Sequence, residues 1–100
     1  MINIYDDVNN LVMNLKRHEL TLAFKEIRKK LKEENEELFK KVEEFQKLNI
    51  EINTEVLMEG NTDEGKQEKS KKLYEELVTY PLVVEYFEKE LALNKMLEDV

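Results

Sequence analysis

The side chains in this chain that could do chemistry are few, and their spacing limits what they can do. His18 is the only histidine and there is no cysteine, so a histidine-rich or thiolate metal site cannot be assembled. Leu15 stands three residues before His18, where the Glu-x-x-His pattern of helical di-iron bundles would need a glutamate. The imidazole is therefore read as a solvent-facing group at a helix end. Ser70 is the only serine; it lies among lysines and lacks the G-x-S-x-G turn that exposes a nucleophile. Glu33, Glu34, Glu36 and Glu37 form one acidic cluster and Asp63 and Glu64 another. Neither has the alternating oxygen ligands and closing glutamate of a calcium loop. Such runs favour the positive ends of helices and solvated faces. No glycine-rich phosphate cradle is present. The expectation is a protein with no catalytic, cofactor-binding or metal-binding residues.

The absence of cysteine also excludes disulfides, thiol catalysis and cysteine-ligated iron–sulfur clusters. The net charge of -7 is unevenly placed: residues 1–50 carry ten basic and ten acidic side chains, residues 51–100 six and thirteen. Within the balanced half, Lys16, Arg17, Lys25, Arg28, Lys29, Lys30 and Lys32 form a basic band faced only by Glu19 and Glu26. Direct RNA binding through residues 16–32 is one reading of that band. The overall acidity, the single aromatic Phe24 within it and the lack of an RNA-binding module favour a helix surface or a docking patch for an acidic protein partner.

The composition, 39% charged and 41% hydrophobic residues with two glycines and one proline, describes a strongly helical chain of about one small domain, 1–100. No apolar run approaches the ~20 residues that span a bilayer, and no basic-then-hydrophobic leader is visible, which points to the cytoplasm and no membrane. Ile4, Val8, Leu11 and Leu15 form one helical face behind a cap at Asn3, predicting a helix over 4–17; Leu20, Phe24, Ile27 and Leu31 predict another over 20–32, with one bent helix as the alternative. A third should run from a cap at Asn35 to Gly60, "GNTDEG" should form a loop, and helices should cover 64–79 and 81–98 with Pro81 at the first position of the last.

Leu38, Val42, Phe45, Asn49, Ile52 and Val56 alternate steps of four and three, as do Leu73, Leu77, Tyr80, Val84, Phe87, Leu91 and Asn94 across the proline. Two such seams joined by a short loop predict an all-α fold: a long antiparallel helical hairpin with short N-terminal helices, five helices at most, in an oligomeric bundle. If Val56 lies near Leu73, Asn49 faces Tyr80 and Asn94 lies near Asn35. Phe39, Leu48, Ile50, Leu57, Leu82, Tyr86, Leu93 and Leu97, with Met96, fall outside the seams. They are expected to meet a second copy, as a homo-dimer or higher homo-oligomer, because bare apolar patches are uncommon in monomers.

"NIYD" near the start, "NEEL" opening the long helix, "LMEG" closing it and "LYEELVTYPLVVEYFEKE" resemble the YlbF/YmcA family of small helical bacterial proteins, particularly its cysteine-free YheA-like branch. The resemblance covers essentially the whole chain and implies an all-α hairpin that forms dimers or larger assemblies. It also implies a noncatalytic regulator or adaptor, linked in some members to a complex that modulates an endoribonuclease and messenger RNA processing. Cluster-binding members use cysteines that this chain lacks, so no iron–sulfur site carries over. The chain ends at Val100, earlier than the resemblance leads one to expect, which implies a shortened chain or a missing terminal segment.

Overall fold

The computed structural model describes residues 4–98, and among them the fold is all-α, with four helices and no strand. Helix α1 spans Ile4–Glu34, α2 Glu36–Glu59, α3 Glu64–Leu77 and α4 Pro81–Glu98. The two short N-terminal helices expected from the sequence are one helix, about 46 Å long at 1.5 Å per residue. Nothing near His18 stops it: no glycine or proline intervenes, and Thr21 sends its hydroxyl back to the Arg17 carbonyl within the same ladder at 2.8 Å. His18 is exposed, as expected, but in mid-helix rather than at an end.

One residue separates α1 from α2. Asn35 leaves the helical region at φ -151°, its amide donates to the Leu31 carbonyl at 3.0 Å, and its side chain accepts from the Leu38 amide at 3.1 Å. It thus closes one helix and caps the next. Asn3, the cap expected for α1, lies outside the described residues. Gly60 ends α2 at φ 83°, the left-handed region, with its amide on the Val56 carbonyl. Asp63 caps α3 by accepting from the Gly65 amide at 3.0 Å. Glu55 accepts from both Thr62 and Lys66 and so closes this connection from the α2 side.

Helices α2 and α3 are antiparallel: Lys41 bonds Glu76 at 2.5 Å, Glu44 pairs with Lys69 at 3.0 Å, and Asn49 accepts from Ser70 at 2.7 Å. Asn49 therefore meets Ser70, not Tyr80. The connection is only four residues long, so α3 starts back against the very end of α2. The seam also fails to continue through Pro81. Residues 78–80 form a turn, in which the Thr79 amide and hydroxyl both bond the Glu76 carbonyl, and the chain reverses. Helix α4 then runs in the same sense as α2. Phe45 lies 5.8 Å from Phe87, Gln46 bonds Glu90, and Asn53 shares a groove with Asn94.

The core forms where all four helices meet. Each contributes one residue with no exposed surface: Leu31, Val42, Leu77 and Val83. Burying such a side chain stabilises by about 1.5–3 kcal/mol. Ile27, Leu38, Phe39 and Tyr86 complete the cluster, with Phe24 stacked 5.2 Å from Tyr86 and Leu82, Phe45 and Phe87 at its margin. Away from this junction the helices extend outward. The radius of gyration is 17.5 Å, against about 13 Å for a compact domain of this length.

Candidate docking surfaces

The seam residues differ in burial. Leu38, Val42 and Leu77 are buried; Phe45, Asn49, Ile52, Leu73, Val84 and Phe87 are half-buried; Val56, Tyr80 and Leu91 are exposed. Of the residues expected to meet a second copy, Ile50, Leu57 and Leu97 are exposed and Leu82 and Leu93 half-buried. Phe39, Leu48 and Tyr86 are a correction, since all three are buried within the chain. The reversal at Pro81 is the cause for Tyr86, which it carries onto α1, while Phe39 follows Asn35 by one turn and reaches the same core.

An open groove lies between α2 and α4, with Tyr74 of α3 at its side. Phe45, Ile50, Tyr74, Phe87 and Leu91 give an apolar lining to a groove of about 710 Å³, and Asn49, Asn53, Asn94, Gln46 and Glu90 give it polar edges. At its inner end Gln46 donates to Glu90 at 2.5 Å and to the Tyr86 hydroxyl at 3.4 Å. Burial pushes the Glu90 carboxyl above the usual carboxylate range, opposed by the bonds from Gln46 and Tyr86. Burial likewise raises the Tyr86 phenol. Sequence reading missed this network because it depends on α4 lying along α2, which heptad spacing does not encode.

A second surface is the face of α1 turned away from α4. Val8, Leu11, Val12, Leu15 and Leu22 lie between 47% and 59% exposed, and residues 6–12 have no buried member. A third lies at the end of α2, where Leu57 and Met58 are 86% and 81% exposed. The basic band gathers into a shallow depression of Lys25, Arg28, Lys29 and Lys32 beside Phe39. Arg28 and Lys32 stand 5.6 and 5.9 Å from the Phe39 ring centre, within cation–π range. Among the described residues no group of three or more His, Cys, Asp or Glu side chains is placed to hold a metal ion, and no helix is long and apolar enough to cross a membrane.

These features define a small all-α protein of extended helices with open apolar faces. A model of the family described as control of competence regulator ComK, YlbF/YmcA, matches residues 4–100, and the chain belongs to that family. The family name is that of a regulator, not an enzyme. The chain is similar to a UPF0342 protein of Desulfitobacterium hafniense, 28% identical over 99 residues that cover 99% of this chain and 79% of that one. It is also similar to a UPF0342 protein of Ligilactobacillus salivarius, 29% identical over 102 residues covering 100% of this chain and 86% of the relative. No solved structure matches the chain significantly.

Proposed function

We propose that this protein is a noncatalytic, homo-oligomeric regulator or adaptor of the cytoplasm that acts through protein–protein contacts, in the cysteine-free YheA-like branch of its family. One observation carries the reading. The chain exposes 7913 Å², whereas a compact monomer of 12.0 kDa exposes about 6,000 Å². The excess of about 1,900 Å² exceeds the ~800 Å² that one partner contributes to a standard interface. The exposed side chains include Val8, Leu11, Leu15, Ile50, Leu57 and Met58, which are costly to leave in water. The α2/α4 groove is the proposed seat for a protein partner, with a complex that processes RNA as the candidate drawn from the family resemblance. Light scattering across a dilution series, together with capture from the native host using wild type and an Ile50→Asp/Leu91→Asp variant, tests this. Expected are a mass above one chain and an endoribonuclease complex retained by wild type alone. A strictly monomeric chain that retains no such complex would overturn the proposal.

The depression around Phe39 supports a second reading, RNA binding, because four cations converge beside one aromatic ring. Four phosphate contacts on a single strand would give a slope of log affinity against log salt of roughly -3. Neutralising Lys25, Arg28 and Lys29 should flatten that slope stepwise, and binding indifferent to salt would remove this reading.

A further inference from the structure

We propose that the groove between α2 and α4 takes an extended segment of its protein partner, with apolar side chains at alternate positions and one lysine or arginine set against Glu90. This rests on the groove being the seat of a protein partner, as above, and adds the form that partner takes there.

Helices α2 and α4 run in the same sense, and their facing rims match. Asn49, Ile50 and Asn53 on one side and Glu90, Leu91 and Asn94 on the other follow the same order of polar, aliphatic and amide side chains. Phe45 and Phe87, 5.8 Å apart, close the apolar floor at one end. From Phe45 to Asn53 the groove runs about 12 Å, the length of about four residues of extended chain.

The amides decide between a helix and an extended chain as occupant. Asparagine weakens a helix interior, yet every asparagine within α2 and α4 lines this groove. Asn49 is tied to Ser70, whereas Asn53 and Asn94 make no hydrogen bond among the described residues. A docked helix uses its own N–H and C=O groups internally, so it would bury these amides against a backbone with nothing to offer them. An extended chain projects its main-chain N–H and C=O sideways, toward both rims, and an asparagine amide both donates and accepts. Alternate side chains of the same segment then fall on Ile50, Leu91 and the two phenylalanines.

Charge fixes one further position. Glu90 is the only charged residue lining the groove, and its hydrogen bonds come from the neutral Gln46 and Tyr86. Half-buried, and with no cation paired to it among the described residues, it selects a basic side chain from the partner.

Phage-displayed random peptides selected on the full wild-type chain, with the best sequence resynthesised for fluorescence anisotropy, test this. Expected are sequences with apolar residues two apart and one lysine or arginine. Asn53→Ala/Asn94→Ala should weaken the resynthesised peptide at least about tenfold, through the main-chain groups left unbonded. Alanine favours the helix, so lost folding cannot imitate that result, and circular dichroism should be unchanged. Glu90→Gln should erase a preference of about tenfold for lysine over norleucine at the basic position. Selected peptides with apolar spacing of three and four, or binding untouched by the asparagine double variant, would overturn the proposal. If no peptide is enriched but the native partner is captured by wild type and lost by Ile50→Asp/Leu91→Asp, the extended form falls alone and the adaptor reading stands. If neither binds, both fall.

Discussion

Leu77→Ala is the most searching perturbation of the four-helix junction. Leu77 has no exposed surface and is the one buried residue of α3, so the docking of that helix on the rest rests heavily on it. Truncating a fully buried leucine costs 2–5 kcal/mol, from lost transfer free energy and the cavity left behind. At about 3 kcal/mol, and with an unfolding entropy of about 0.2 kcal/mol/K for 100 residues, the melting temperature should fall by about 14 °C. Leu57→Ala is the control. Its side chain is 86% exposed, so in dilute solution the shift should stay within about 2 °C. Thermal unfolding followed by far-ultraviolet circular dichroism, at two protein concentrations, measures both. A fall of less than about 5 °C for Leu77→Ala, or an equal fall for the two variants when dilute, would refute the junction as the source of stability. A Leu57→Ala deficit that grows with concentration would mark the end of α2 as a contact between copies.

Gly60→Ala should cost about 1 kcal/mol in denaturant titration, and the cost is purely conformational because a Cβ there meets nothing within 4 Å while φ stays at 83°. Glu90→Gln should raise the melting temperature at pH 7: with its folded pKa raised by burial, the native state holds its proton more tightly than the unfolded chain, and stability falls as pH rises through that interval. The advantage should vanish below about pH 4, where both forms are neutral. Glu55→Gln should speed amide exchange over residues 62–66 at neutral pH. The bonds from Lys66 and Thr62 hold the Glu55 carboxyl below its usual range, so in wild type this protection is present above that range and lost only as pH falls through the lowered value.

What could be read from the sequence follows the reach of the physics involved. Asn35, Gly60 and Pro81 act on their own backbone within one turn, and each punctuates the chain where its chemistry requires. The union of the first two expected helices also follows from local facts, since no residue near His18 can break a helix. The direction of α4 is different. The steps of four and three run unbroken through Tyr80 and Pro81, and periodicity alone does not distinguish a rod that continues from one that folds back. That ambiguity put Tyr86 outside the chain instead of against Phe24. The partner of Asn49 was misplaced by register instead: with only four residues between α2 and α3, Ser70 rather than Tyr80 comes level with it. The Gln46–Glu90 pair and the groove around it were hidden for the same reason. The basic band was visible as composition, but its wrapping around Phe39 needed the Asn35 corner.

That corner has a mechanical consequence. With a single residue between two long helices, and Leu31 and Leu38 anchored one turn to either side, the base of α1 is clamped, and packing on α4 extends the clamp through Phe24 to about Leu20. A rotation of about 5° at the end of that clamp sweeps the far tip, about 24 Å away, through about 2 Å. Whatever grips that tip applies torque to the clamp, and the clamp is the same cluster that fixes where α4 sits above α2.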